Sequence, residues 1–216
     1  MLVFLAVAAN AQTSFVRLIT NKGNITLMLS DETPLHRDMF LKTIREGLFS
    51  NAQFNRVIKS FVSQGGELDE TILDREKLHP EIPLQRIPAE IKPSLFHKKG
   101  ALGMGRNDIP DKSSYLTQIY LVEGKVQTDA QLDKMEQKKG IKFPATQREV
   151  YKSIGGIPNL DYDYTIFGEI IEGLEVAEAI NAVSTSKTDV PLTPFTFKPV
   201  ILSKKEVLRL RKKIKE

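Results

Sequence analysis

The sequence predicts a mainly β domain, folded as an antiparallel barrel or sandwich. Two observations point there. The strand-like runs are short and mostly sequential, joined by turns rather than by regularly alternating crossover helices. Helical patterns are few, and no segment repeats. The 216 residues, 41% hydrophobic and 27% charged, are enough for one domain with a real core and have an ordinary globular composition.

The elements follow in order. "SFVRLITNKGNITLMLSD" reads as a hairpin, with Phe15, Leu18, Ile25, Leu27 and Leu29 around a turn at Asn21-Lys22-Gly23-Asn24. In "TPLHRDMFLKTIREG", Thr33 suits a cap and Pro34 the first helical position. Leu35, Met39, Phe40 and Ile44 form one apolar stripe, and Gly47 ends the helix. "FNRVIKSFVSQGGE" reads as strand, break, strand. Glu67 to Glu90 is polar and carries prolines, so a long loop is expected. "KKGALGMGR" and "YLTQIYLV" are strand material in which glycines permit close approach.

From Glu123 to Gly156 the pattern turns helical. Thr128 to Gln131 and Thr146 to Glu149 both match a capping box, and Gly140 and Gly155 can end the two segments. Leu132 and Met135 mark the apolar side of the first, Val150 and Ile154 that of the second. The expectation is a helical hairpin, at about 123–156, inserted between two strands. "YTIFGEII" is then a strand, "EGLEVAEAINAV" a helix and "TFKPVIL" the last strand.

The charge is uneven. The last thirteen residues hold seven Lys/Arg and two Glu, a net +5 against +4 for the whole chain, so the remainder carries about −1. The basic tail, 204–216, has Val207, Leu210 and Ile214 at near-helical spacing and no aromatic residue among its charges. A solvated helix packed by one face is favoured over a nucleic-acid or membrane contact, and no nucleic-acid partner is expected. Cysteine is absent, which excludes disulfides, thiolate metal sites and a cysteine nucleophile. His36, His79 and His97 are scattered, so no metal site is expected. The start, "MLVFLAVAANAQTS", resembles a signal segment over 1–11, with Ala9-Asn10-Ala11 as the cleavage pattern and an apolar run too short to span a bilayer. A buried first strand is the weaker alternative, because alanine-rich runs make poor strands. Export is expected on this basis, to the periplasm if the source is Gram-negative, leaving no transmembrane segment in the mature chain.

Six segments, in order, carry a resemblance to a known family: "TPLHRDMFLKTIREGLF", "FNRVIKSFVSQGGE", "IPAEI", "HKKGALGMGR", "TQIYLV" and "LDYDYTIFGEIIEGLEVAEAI". The chain resembles the cyclophilin-type peptidyl-prolyl cis-trans isomerases over roughly Phe15 to Leu202. The resemblance implies a closed eight-stranded antiparallel β-barrel capped by two α-helices, here with the inserted hairpin, as one domain over 12–203. It implies Arg56 as the catalytic arginine, with Gln64 beside it. It implies a substrate pocket of Asn55, Phe61, Val62, Gly105, Arg106, Gln118, Tyr120, Leu160 and Tyr164. Tyr120 stands where the family usually has phenylalanine, Asn55 where it has histidine, Val62 where it has methionine, and Tyr164 where many members have histidine. Asn159 stands where several carry tryptophan. The core of the reaction site is retained and its rim altered. His97 matches a histidine common in the family, for which a structural hydrogen-bonding role is expected.

The chemistry suits these residue types. Rotation about a peptide bond breaks amide resonance, a barrier of about 18–20 kcal/mol. No bond is made or cut, so no nucleophile, metal or cofactor is required; the site must prefer the twisted imide. There the nitrogen pyramidalises and gains a lone pair, which a fixed donor stabilises. A guanidinium stays protonated at neutral pH, so an arginine can serve by hydrogen bonding and electrostatics but not as a general acid. The expected activity is peptidyl-prolyl isomerisation (EC 5.2.1.8) on proline-containing unfolded or extended polypeptides, by a monomer, assisting the folding of exported proteins. The alternative is a non-catalytic proline-peptide-binding chaperone or scaffold module.

Overall fold

The computed structural model describes residues 14–215; the expected signal segment lies outside them. Strands β1 (Phe15–Thr20), β2 (Gly23–Leu29), β3 (Gln53–Val57), β4 (Val62–Gly66), β6 (Ala101–Met104), β8 (Gln118–Val122), β9 (Ile166–Glu172) and β10 (Phe195–Ile201) close into an eight-stranded barrel. Its order is β1-β10-β3-β4-β8-β6-β9-β2, and every pair is antiparallel. Closure leaves no unpaired sheet edge. Two short strands, β5 (Arg86–Ile87) and β7 (Ser114–Tyr115), pair outside it.

The barrel interior is filled by alternate residues of its strands. Leu18, Ile25, Leu27, Phe54, Leu102, Ile119, Phe167 and Phe197 are all buried in one cluster. Helix α1 (Pro34–Arg45) adds Phe40 and Leu41 to that cluster, and α5 (Leu174–Asn181) adds Ala177 and Ile180. Phe40 meets Phe167 edge-on at 5.4 Å, and Phe54 lies 4.8 Å from Phe197.

Several elements depart from the sequence reading. The 67–90 stretch is not a loop throughout: α2 (Asp69–Leu78) runs through it. Only Ile72 of α2 is buried, so there is no apolar stripe to reveal the helix. Its stabilisers are acidic Asp69 and Glu70 in the first turn and basic Arg75 and Lys77 in the last, both matched to the helix dipole. In the inserted hairpin, α3 (Asp129–Lys139) has the expected capping box, with Thr128 and Gln131 bonded reciprocally, and Gly140 takes the left-handed C-cap at φ 65°. Helix α4 (Ala145–Ser153) begins earlier than expected. Pro144, not Thr146, sits at the N-cap, and no side chain caps this helix. The buried face of α4 is Gln147 and Tyr151, while Ile154 is exposed. Leu35 of α1 is also exposed, and Thr33 makes no side-chain cap bond. The first hairpin turns on Asn21 and Lys22 alone, since Gly23 and Asn24 already pair with Thr20 and Ile19.

The basic tail is α6 (Lys204–Lys215). Val207 and Leu210 are buried against Phe15 and Leu202. Arg17 donates to Glu206 at 2.9 Å, and Lys213 meets Glu172. The tail is therefore packed on β1 and β9 by one face. Among the described residues, no helix is long and apolar enough to cross a membrane.

Candidate active site

Side-chain alternation along β4 sends Gly65 into the barrel, where it meets Phe54 and Phe197. Val62 and Gln64 therefore point outward. On that outer wall Val62, Tyr120, Val122, Ile157 and Ile166 form a second, smaller apolar cluster, with Phe61, Leu160 and Tyr164 half-buried at its edge. This cluster is the floor of the site.

The β3–β4 register slips between Phe54 and Arg56, and Arg56 then lies directly opposite Gln64. Arg56 Nη1 donates to Gln64 Oε1 over a long 3.4 Å, and its Nε lies 3.8 Å from Asp189 Oδ2. Asp189 is itself tied to β3, because Val57 N–H donates to its carbonyl at 2.8 Å. The Arg56 side chain is 45% exposed. Its charged head thus sits at a wet rim, which avoids the several kcal/mol that sealing a lone cation in the core would cost. Its existing contacts are long, so most of its five donors are free for a ligand.

Arg56 and Gln64 share a cavity of about 110 Å³ with Phe61, Val62, Gly105, Arg106, Gln118, Tyr120, Leu160 and Tyr164. Asp69, from the first turn of α2, joins them. Asn55 does not. It is the extra residue of the β3 slip, and its Nδ2 donates to Gly66 O at 2.6 Å, stitching β3 to β4 away from the cavity.

Two glycines permit this packing. A Cβ on Gly103 would strike the Tyr120 ring, and one on Gly105 would strike Gln118 Oε1. Gln118 is held from behind: its Nε2 donates to Glu67 O at 2.9 Å and to Asp69 Oδ1 at 2.5 Å. The Arg106 guanidinium lies over the Tyr164 ring, 4.6 Å from its centre. Its Nε donates to Asp163 O and its Nη1 to Asn107 O, at 2.6 and 2.7 Å. Two of the Arg106 donors are therefore engaged by backbone carbonyls, and its guanidinium forms one wall of the cavity.

A buried relay supports Tyr120 from below. His97 Nδ1 donates to Asp161 Oδ1 at 2.8 Å, and His97 Nε2 lies 2.8 Å from Tyr120 Oη. In the neutral ring Nε2 is then the acceptor, and the Tyr120 hydroxyl donates to it. Burial, then the neighbouring Tyr164 and Asp161, push the Tyr120 hydroxyl well above its ordinary pKa, so it stays protonated and remains a donor. Asp161 also accepts from His97 N–H at 2.9 Å, Gln147 Nε2 at 2.8 Å and Tyr151 Oη at 2.6 Å. The last two belong to α4, so the insertion is wired to the pocket floor.

Sequence reasoning missed Asp69, Asp189, Asp161 and Tyr151 as parts of this site. Asp189 is 133 positions from Arg56, and nothing local marks it. Asp161 lies within a quoted family segment, yet its four donors come together only in the fold. A wider cleft of about 400 Å³ lies along α2, lined by Leu48, Ile72, Leu84 and Leu116 among others. Its charged groups are already paired, Glu67 with Arg75 and Glu76 with Arg86.

The family model of the cyclophilin type peptidyl-prolyl cis-trans isomerases/CLD matches residues 15–200. The peptidyl-prolyl cis-trans isomerase A of Dickeya dadantii is 25% identical over 205 residues, 94% of this chain and 89% of that one. A Staphylococcus saprophyticus protein, named provisionally for the same activity, is 29% identical over 178 residues, 82% and 85% of the two chains. The crystal structure of a Cryptosporidium parvum cyclophilin-type isomerase superposes with a TM-score of 0.62 at 22% identity, covering 88% of this chain and 98% of that one. A second structure of it, at TM-score 0.61, was obtained in the presence of the dipeptide Ala-Pro. With the barrel, the outer-wall pocket and a family match over nearly all the described residues, the chain belongs to the cyclophilin-type peptidyl-prolyl cis-trans isomerases.

Proposed function

We propose that this isomerase acts on X-Pro bonds in extended segments of exported proteins and so assists their folding, with Arg56 as the residue that stabilises the twisted imide. One observation carries the reading: an underused guanidinium stands at the mouth of a small cavity floored by Val62, Tyr120 and Leu160. A proline ring fits such a floor, and its imide nitrogen then comes to the rim where Arg56 donates. Gln64, bonded to Arg56, orients it. The ring is held while the chain on the far side of the bond turns.

The magnitudes require both parts. Shortening isomerisation from about 10 s to milliseconds takes about four powers of ten, or roughly 5–6 kcal/mol. One hydrogen bond from a charged group supplies about 1.5–3 kcal/mol. Restraint of the ring and partial exclusion of water must supply the rest, and for that Tyr120 is held rigidly from beneath. The Ala-Pro dipeptide used with the Cryptosporidium protein supports a prolyl ligand for this pocket too.

The test is cis-to-trans relaxation of a proline tetrapeptide with wild type and Arg56→Ala. The expected result is a fall in kcat/KM of about a hundredfold with the fold intact, in keeping with one charged hydrogen bond. Near-background rates for both proteins would leave a proline-peptide-binding module instead. Export rests on the Ala9-Asn10-Ala11 pattern; fractionation of cells and N-terminal sequencing test it, with Gln12 as the expected mature start.

A further inference from the structure

A second cleft, of about 320 Å³, opens on the other side of Phe61. Phe61 lines both it and the proline pocket, and Asn159 in the cleft immediately precedes Leu160 in the pocket. The two cavities thus share one wall and lie side by side. The cleft is a product of the insertion: Met135 of α3 faces Ile157 and Pro158 across it. Its rim carries Lys59 and Lys125, both exposed. No acidic residue lines the cleft, and neither ammonium group pairs with an acidic side chain among the described residues. Elsewhere in the neighbourhood of the pocket and the insertion, cations are tied down. Lys99, Lys112, Lys139 and Lys152 each meet at least one carboxylate.

We propose that this cleft is an extension of the substrate groove that takes an acidic residue of the client chain, within a few positions of the proline. The inference rests on the isomerase reading of the pocket. An apolar floor of Phe61, Met135 and Pro158 takes the stem of a glutamate or aspartate. Lys59 and Lys125 then meet its carboxylate without the cost of breaking an existing ion pair. Both cations are solvent-facing, so the discrimination is modest and screened by salt. It selects among proline-containing clients rather than driving catalysis.

The experiment uses the full chain and proline heptapeptides with glutamate or lysine at each of the three positions on either side of the proline in turn. Isomerisation is followed by NMR exchange at low salt. At one or more positions, kcat/KM for the glutamate peptide exceeds that for the lysine peptide by about tenfold, and the ratio shrinks toward one in high salt. The double variant Lys59→Glu/Lys125→Glu reverses the preference, an outcome that misfolding cannot produce. A ratio near one at every position, or a ratio unchanged in the double variant, overturns the proposal. Should no peptide be turned over at all, the isomerase reading falls separately. The cleft is then judged by titrating the Met135 methyl signal: a tenfold Kd ratio between glutamate and lysine peptides upholds it, and equal Kd values overturn it.

Discussion

Asp161 is where the insertion and the pocket wall meet, and Asp161→Ala tests that connection. The carboxylate is 4% exposed and receives four donors: His97 N–H and Nδ1–H on Oδ1, Gln147 Nε2 and Tyr151 Oη on Oδ2. Alanine removes both oxygens and leaves those donors in a buried site. Each hydrogen bond to a charged acceptor is worth about 1.5–3 kcal/mol, but four sharing one group are not additive, and breaking a buried charged network typically costs about 3–5 kcal/mol. A loss of about 4 kcal/mol leaves most proteins of this size folded and lowers Tm by roughly 8–16 °C. Asp161→Asn behaves differently. Gln147 Oε1 is buried and without a hydrogen-bond partner, so the Gln147 amide can turn to accept from the new NH2. The Tyr151 hydroxyl can accept as well. That variant loses charge assistance but keeps partners, at about 1–2 kcal/mol. Urea unfolding followed by circular dichroism gives both values. Peptide isomerisation adds a second readout, because freeing His97 frees the hydroxyl of Tyr120; kcat is expected to fall more in Asp161→Ala than in Asp161→Asn. Equal stability losses below 1 kcal/mol in the two variants, with kcat unchanged, would refute the relay.

Further outcomes follow from the same geometry. Asp189→Asn removes the carboxylate 3.8 Å from Arg56 Nε; as an exposed pair worth about 0.2–1 kcal/mol, its loss should lower kcat/KM by about two- to fivefold without moving Tm, measured in the tetrapeptide assay. Gly103→Ala forces a Cβ into the Tyr120 ring and should cost about 1–3 kcal/mol by urea unfolding, with a larger loss of kcat/KM than Asp189→Asn. Acid stability should fall in a defined window. Hydrogen bonds from Lys142 and the Phe143 backbone hold the Glu136 carboxyl down at about 2 from its ordinary 4.5, and those from Ser203 and Arg17 hold Glu206 down likewise at about 2. A depressed carboxyl contributes stability above about 4.5 and loses it as pH falls through about 2, so Tm should drop between those values, and Glu136→Gln should flatten the drop.

The mainly β character, the inserted hairpin and, through the order of the family segments, the closed barrel and the placing of Arg56 beside Gln64 were legible along the chain. These are local signals: alternating apolar runs, the Thr128–Gln131 capping box and the order of short segments along one chain. Helix α2 escaped because one buried residue, Ile72, leaves no periodicity to read, while its dipole-matched charges resemble those of any polar loop. Asn55 does not line the cavity, because it is the extra residue of a one-residue slip in the β3 ladder, and a bulge leaves no mark in composition. The partners of the site were decided only in three dimensions. Asp189 reaches Arg56, and Tyr151 reaches Asp161 and through His97 the floor under Tyr120, because barrel closure and the packing of α4 bring together groups far apart in the chain. A hydrogen bond is fixed by distance and angle between atoms, and pattern along one dimension carries neither.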